Sequence, residues 1–179
     1  MDELVEKAKN GDKEAFIRCI NAINKKMYYI AKSKLKYEED IKEVIQETIL
    51  ECYKSIKKLK DISKFEKWVI KLLINNCNDY YRRKKNVSFT EYSEEVLETN
   101  NAEGEIFNVN SKIDFSYLIN MLNSEDRLIF TLYYSSGYST AEIAKIININ
   151  ENTIKSRLKR CRERIGKFIE RWEETSEGK

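Results

Sequence analysis

Apolar residues recur along most of this chain at the three- and four-residue spacing of amphipathic helices, and hardly any stretch alternates as a strand would. The spacing predicts helices over residues 2–9, 13–35, 38–59 and 64–85, and again over 115–122, 125–134, 140–147 and 151–167. Proline is absent and glycine occurs only 5 times, so few residues interrupt these periods. We therefore predict an all-α fold with two small helical domains, residues 1–86 and 111–179, joined by a flexible acidic linker over residues 87–110.

The clearest local signals lie where two predicted helices follow one another across a short turn. Ser139 can cap the first of them, with Glu142 three residues later to complete a capping box. Asn148 falls where the turn needs a left-handed residue, and Asn150 can cap the second helix. An apolar stripe at helical spacing follows, formed by Ile154, Leu158, Cys161 and Ile165. Together these features predict a helix-turn-helix unit in the C-terminal domain.

The second helix of this unit is rich in Lys and Arg, which favours contact with nucleic acid. Its first turn should enter the major groove and offer side chains to base edges, namely Glu151, Asn152, Thr153, Lys155 and Ser156. The cations further along should meet phosphates, namely Arg157, Lys159 and Arg160. The alternative is an ordinary core helix with a solvated basic face, but the excess of cations over acids favours DNA binding.

Acidic side chains share one side of the predicted helix over residues 38–59. This acidic strip consists of Asp40, Glu43, Glu47 and Glu51, with Gln46 beside them. An ordinary solvated surface would explain the strip. In a DNA-binding chain it also fits a docking face for a basic protein partner, because complementary charge steers the encounter.

The last helix of the first domain ends in tyrosines followed by cations, in the segment NNCNDYYRRKK. Tyrosine rings can stack on unpaired bases while the cations Arg82, Arg83, Lys84 and Lys85 hold the nucleic-acid backbone, which is the pattern of a surface for single-stranded nucleic acid. Alternatively, one tyrosine packs in the core and the cations stabilise the end of the helix. At its start, Ser63 and Glu66 predict a second capping box, and Ser124 is the predicted cap of a later helix.

Composition narrows the function further. The net charge is +3, but cations predominate over residues 1–86 and acids over residues 87–115. The chain has no histidine, no Gly-rich phosphate loop and 4 scattered cysteines that we expect to be buried and reduced, so we expect no enzyme, no metal and no cofactor. The charged N-terminus does not resemble a signal peptide, and no apolar run approaches the ~20 residues that span a bilayer, so we expect a cytoplasmic protein.

Three segments, in this order, resemble bacterial RNA polymerase sigma factors of the extracytoplasmic-function type. DIKEVIQET, from Asp40 to Thr48, is similar to the family's D-A-E-D-L-V-Q-E-T. WVIKLLINNCNDYYRR, from Trp68 to Arg83, is similar to W-L-x-x-I-A-x-N-x-x-x-D-x-x-R-R, although Leu73 and Ile74 replace residues that are usually small and polar. TIKSRL, from Thr153 to Leu158, resembles T-V-K-S-R-L.

The resemblance implies a dissociable specificity subunit of RNA polymerase with no small-molecule substrate. Its first domain would bind the clamp helices of the β′ subunit through Asp40, Glu43, Gln46 and Glu47. The same domain would bind the −10 element and help to open it, through Lys60, Asp61, Ser63, Lys64, Trp68, Asn75, Asp79, Arg82 and Arg83. The second domain would read the −35 element and touch the β flap. The implied partners are core RNA polymerase, double-stranded and melted promoter DNA, and an anti-sigma factor of the kind common in the family.

Two other functions remain open from the residues alone. A stand-alone helix-turn-helix regulator would bind operator DNA as a dimer, although residues 1–86 show a second nucleic-acid-like surface and no long coiled-coil seam. An enzyme acting on nucleic acid would need a metal site or an acid–base pair, which the residues do not show.

Overall fold

The computed structural model describes residues 1–88 and 115–176, and every regular element within them is helical. The first unit comprises α1 (Asp2–Lys9), α2 (Lys13–Lys34), α3 (Glu38–Ser55) and α4 (Phe65–Ser88), with 3₁₀ turns at Ile56–Lys58 and Ile62–Lys64. The second comprises α5 (Phe115–Asn120), α6 (Ser124–Phe130), a π turn at Thr131–Ser135, α7 (Thr140–Ile147) and α8 (Glu151–Ser176). The prediction of an all-α fold is confirmed. Helix α4 takes in residues 87 and 88 of the predicted linker, and the rest of that segment lies outside the described residues.

The core of the first unit follows the apolar periodicity of α2 closely and that of α3 and α4 less closely. On α3 the buried residues are Ile41, Val44, Thr48 and Cys52, whereas Ile45 is only partly buried. Helix α4 is buried over an unusually wide arc, at Val69, Ile70, Leu73, Ile74, Cys77 and Tyr80. It can bury so much because it packs against α2, α3 and α7.

The predicted capping box at the start of α4 is wrong. Asp61 caps the 3₁₀ turn before that helix, because its Oδ1 accepts a hydrogen bond from the backbone N–H of Ser63 at 3.1 Å. Glu66 does not return to the backbone of Ser63. Its carboxylate accepts hydrogen bonds from Lys26 and Tyr138 instead.

The cap of α6 is Asn123 and not Ser124. Asn123 has the extended backbone of a cap, with φ −63° and ψ 163°, and its Oδ1 accepts from the N–H of Asp126 at 2.9 Å. Ser124 is therefore the first helical residue. The end of this helix also differs from the prediction, since its last turn widens into the π turn before Gly137 changes the chain direction with φ 74°.

The helix-turn-helix unit forms as predicted. Both halves of the Ser139–Glu142 capping box are present, and Asn148 adopts the left-handed conformation with φ 55° and ψ 47°. The side chain of Asn150 accepts from the N–H of Asn152 at 2.8 Å, as a cap of α8 should. The hydroxyl of Thr140 also links the two helices, because it donates a hydrogen bond to Glu151 at 2.8 Å.

The two units pack against each other. Helix α2 contacts α6 and the π turn, and α4 contacts α7. Buried side chains of both units form one continuous apolar cluster. In the part of the chain that the structure describes, no helix is long and apolar enough to cross a bilayer.

Candidate nucleic-acid interface

The first turn of α8 presents a row of exposed polar side chains. Asn152, Thr153, Lys155 and Ser156 are all exposed, while the apolar stripe beneath them is buried at Ile154, Leu158 and Cys161. Lys155 lies 2.9 Å from Glu151, an exposed i,i+4 pair that contributes little stability and that a phosphate or base edge could displace. The arrangement suits insertion of this helix end into a DNA groove.

Arg157 differs from its neighbours on α8. Its side chain is only 24% exposed, and its guanidinium lies 2.6 Å from Glu125 and 3.3 Å from Asp126 of α6. Hydrogen bonding to Glu125 raises the pKa of Arg157, although burial opposes this. Arg157 therefore ties α8 to α6. Lys159 and Arg160, in contrast, are exposed.

The acidic strip of α3 is partly occupied by side chains of α4. Asp40 is the most enclosed member, with a side chain only 14% exposed. Its carboxylate accepts from the Tyr80 hydroxyl at 2.6 Å and from the Lys84 ammonium at 2.7 Å. Burial alone would raise the pKa of Asp40, but these hydrogen bonds bring it below its ordinary value.

Two further members of the strip also face α4. Glu47 pairs with Arg83 at 2.8 Å, and Glu51 accepts from Asn76 at 3.0 Å. Glu43 and Gln46 remain exposed on the outer side of α3. The acidic strip therefore has two parts. Its inner members orient α4, and its outer members face solvent.

The loop before α4 is organised by one carboxylate. Asp61 accepts from the Ser63 hydroxyl at 2.6 Å and lies 2.7 Å from the Lys64 ammonium. The hydrogen bond from Lys64 and then those from Ser63 lower the pKa of Asp61 to about 2. Lys60, Ser63 and Lys64 are exposed, so the loop offers cations and hydroxyls on a locally ordered backbone.

The residues of α4 that are predicted to contact the −10 element differ in their exposure to solvent. Asn75, Asp79 and Arg82 are exposed, and Arg82 pairs with Asp79. Trp68 is partly buried beside Phe65. Of the two tyrosines, Tyr80 is in the core at 8% exposure and Tyr81 is 50% exposed, so only Tyr81 could stack on a base without rearrangement.

One polar cluster between the two units was not predicted from the sequence. Glu66, which the sequence placed in a capping box, accepts from Tyr138 at 2.6 Å and from Lys26 at 2.5 Å. Burial opposes the ionisation of Glu66, but these two donors hold its pKa below the ordinary value. Tyr138 is 6% exposed, and burial, followed by the hydrogen bond to Glu66, raises its pKa.

The four cysteines are free and buried. Burial raises the pKa of Cys52 and of Cys77 to about 12, so both thiols stay protonated and unreactive at neutral pH. Within residues 1–88 and 115–176, no group of three or more Cys, Asp or Glu side chains is placed to hold a metal ion.

Both units match models of one protein family. Residues 19–87 match "Sigma-70 region 2", and residues 113–165 match "Sigma-70, region 4". The two matched ranges make up well over half of the chain and follow the family's order. The chain belongs to the sigma-70 family. It is a sigma factor that acts in transcription initiation, and core RNA polymerase and promoter DNA are its partners.

Its relatives place this sigma factor in the extracytoplasmic-function group. The chain is 26% identical over 176 residues to the ECF RNA polymerase sigma factor SigW of Bacillus subtilis, covering 92% of this chain and 94% of the relative. It is also 26% identical over 178 residues to the ECF RNA polymerase sigma-E factor of Escherichia coli K12, covering 93% of each. A stand-alone regulator would leave the region 2 match unexplained. Sigma factors are initiation factors, and neither matched model describes an enzyme.

Solved structures support the fold. The sigma factor RpoE of Bartonella quintana, in a complex with the anti-sigma factor NepR, superposes with a TM-score of 0.68 at 21% identity, covering 87% of this chain and 96% of that one. CnrH, in a complex with the cytosolic domain of CnrY, superposes with a TM-score of 0.67 at 17% identity, covering 94% and 96%.

Proposed function

We propose that this sigma factor reads the −35 element with the first turn of α8 and the −10 element with the loop and exposed side of α4. The observation that carries the proposal is the exposed row on α8. Four exposed polar side chains lie above a buried apolar stripe, at the start of a helix whose preceding turn contains a left-handed asparagine. This is the geometry with which a helix-turn-helix unit enters the major groove.

For the −35 element, we assign base contacts to Asn152, Thr153, Lys155 and Ser156, and phosphate contacts to Lys159 and Arg160. The pairing of Arg157 with Glu125 and Asp126 supports a different role for that residue. We propose that Arg157 holds α8 at the angle that the groove requires, so that its contribution to DNA binding is indirect.

For the −10 element, we assign the loop residues Lys60, Asp61, Ser63 and Lys64 to capture of an unpaired base. The hydrogen bonds around Asp61 support this role, because an ordered loop reduces the entropy lost when a flipped base is held. Exposed side chains further along α4 would contact the opened DNA strand, namely Asn75, Asp79 and Arg82. Trp68 is partly buried and would support the same strand. Arg83 would reach DNA only by leaving Glu47.

For core polymerase, we propose that the outer side of the acidic strip binds the clamp helices of β′. Glu43 and Gln46 are its exposed members, and a negative strip would be attracted to a basic partner. Asp40 and Glu47 would act mainly by orienting α4, since both are paired with its cations. The second unit would contact the β flap.

We further propose an anti-sigma factor as a partner and the cytoplasm as the location. Two solved relatives of the same fold are complexes with, respectively, an anti-sigma factor and a cytosolic protein domain, which supports a restraining partner here. Core polymerase and promoters are in the cytoplasm, so a subunit that joins them must work there. The protein acts by binding, without catalysis of its own.

The assignment on α8 can be tested by replacing one side chain at a time in the full chain. Lys155→Ala should weaken promoter binding by the holoenzyme by roughly 1–3 kcal/mol if it contacts a base, without changing the thermal stability. Arg157→Ala should lower the thermal stability as well, because it leaves two carboxylates of α6 without their cation. Lys167→Ala, an exposed change further along α8, is the matched control. Promoter binding by Lys155→Ala equal to that of the control would contradict the assignment.

A further inference from the structure

The first residue of α8, Glu151, carries a carboxylate that is held on the side of the helix next to α7. The hydroxyl of Thr140 donates to Oε1 of Glu151 at 2.8 Å, and the ammonium of Lys155 lies 2.9 Å from the same oxygen. Thr140 is the first residue of α7, and Lys155 lies one turn further along α8. The carboxylate is therefore positioned by both helices of the helix-turn-helix unit.

This carboxylate is charged, and one of its oxygens is available to a further donor. Hydrogen bonds from Lys155 and then from Thr140 lower the pKa of Glu151 below its ordinary value, so at neutral pH the group only accepts hydrogen bonds. Both contacts go to Oε1, and Oε2 has no hydrogen-bond partner within the part of the chain that the structure describes. The side chains of Glu151 and Lys155 are 40% and 58% exposed, so both are accessible to DNA.

A negative charge at this position is unfavourable unless the DNA supplies a donor. The first turn of α8 is the part assigned to the major groove, and the phosphates on both sides of a groove repel an anion. A carboxylate that enters the groove and finds no donor loses its hydration without compensation, whereas a donor at the right place satisfies it. Glu151 should therefore select among base pairs and add little general affinity.

The edge of a C·G base pair offers the groups that match Glu151 and Lys155. In the major groove cytosine presents its N4 amino group as a donor, and guanine presents O6 and N7 as acceptors. N4 and O6 are hydrogen-bonded to each other within the pair, so they lie ~2.9 Å apart. The carboxylate and the ammonium are also 2.9 Å apart. Glu151 can accept from N4 while Lys155 donates to O6 or N7 of the same pair.

Other base pairs match the two side chains less well. An A·T pair also has a donor beside an acceptor, but thymine offers the ammonium one acceptor where guanine offers two, and it adds a methyl group next to that acceptor. A reversed G·C pair places its acceptors at the carboxylate and its donor at the ammonium. Each mismatch leaves at least one charged group without a suitable partner, which is the basis of discrimination.

We propose that the Glu151–Lys155 pair, positioned by Thr140, reads a C·G base pair in the −35 element. Glu151 and Lys155 contact the edge of the base pair and determine specificity, and Thr140 is a positioning residue. The proposal rests on the assignment of α8 to the −35 element made above. It adds the base pair that the first turn of α8 selects and the acid that takes part in selecting it.

The test is the base preference of the holoenzyme at each position of the −35 element. A promoter that the protein transcribes would be synthesised with its −35 region randomised, and the duplexes bound by core polymerase with the full chain would be sequenced. The parent protein should prefer C·G at one position. Glu151→Gln keeps the shape of the side chain but removes its charge, and it should reduce that preference roughly tenfold without changing the other positions. Lys155→Ala should relax the same position.

The chain offers matched controls for these variants. Glu163 also pairs with a lysine one turn away on α8, since it lies 3.9 Å from Lys159. Glu163→Gln removes the same charge from the same helix and should leave every base preference unchanged. Thr140→Val removes the hydroxyl and should relax the position that Glu151→Gln relaxes, whereas Thr140→Ser keeps the hydroxyl and should match the parent. Thermal unfolding would verify that every variant is folded.

The outcomes distinguish this proposal from the assignment on which it rests. If the parent prefers particular bases in the −35 region but Glu151→Gln changes none of them, or changes a position that prefers a pair other than C·G, the reading by Glu151 and Lys155 is overturned and the assignment of α8 stands. If the parent has no base preference in this region, both are overturned. Preferences of Thr140→Val equal to those of the parent would overturn the positioning role.

Discussion

At Asp40, a side chain that the sequence places on a partner-binding strip is held inside the molecule. It accepts hydrogen bonds from Tyr80 and Lys84, which join α3 to the end of α4 across 40 and 44 residues. Helical periodicity shows which residues share a face, but it does not show whether that face meets solvent or another helix. Glu43 and Asp40 look alike in the sequence, and only the packing of α4 separates their roles.

This difference leads to a prediction for a pair of matched variants. Asp40→Asn should lower the free energy of unfolding by about 1–3 kcal/mol, because the charged acceptor of the hydrogen bonds from Tyr80 and Lys84 is replaced by a neutral one. Glu43→Gln should change stability by less than about 0.5 kcal/mol, since the side chain is exposed, but it should weaken binding to core polymerase. Denaturant unfolding and core-binding titrations measure the two effects. If Glu43→Gln bound core as tightly as the parent chain, the docking role of the outer strip would be ruled out.

At the scale of single elements, the predictions that succeeded depend on short-range chemistry. The Ser139–Glu142 box, the left-handed Asn148 and the Asn150 cap each involve residues at most three positions apart, and all three form. The capping predictions that were wrong concern positions where two possible interactions compete. Asn123 and Ser124 are both good caps, and the extended backbone at Asn123 decides between them. Ser63 and Glu66 match a capping box in sequence, but Glu66 finds stronger partners in Lys26 and Tyr138.

The turn between α7 and α8 provides a test at this scale. Asn148 has φ 55°, a region that costs roughly 1–2 kcal/mol for most residues with a Cβ atom and little for glycine. We expect Asn148→Ala to destabilise the helix-turn-helix unit by about 1 kcal/mol and Asn148→Gly to be neutral or slightly stabilising. Thermal unfolding of the full chain measures both. Equal melting temperatures for the two variants would show that the turn does not depend on the left-handed residue.

At the scale of the whole molecule, the docking of the two units could not be derived from the sequence. The periodicity of α4 predicted one buried stripe, whereas the helix is buried on sides that face α2, α3 and α7. The sequence carried one hint, the apolar Leu73 and Ile74 at positions where small and polar residues are usual, and both are buried. Contacts such as Glu66–Tyr138, which join residues 72 positions apart, depend on the tertiary arrangement and leave no local pattern.

The role of this sigma factor is to direct core polymerase, through its two units, to promoters with −10 and −35 elements. It is tested most directly by transcription in a purified system, with bacterial core polymerase, genomic DNA of the source organism as template, and sequencing of transcript 5′ ends with and without the protein. We predict a set of start sites that appears only with the protein, with a shared element at each of the two positions upstream. The Lys155→Ala protein should use the same sites more weakly. An absence of protein-dependent start sites, together with no complex between the protein and core polymerase, would contradict the claim.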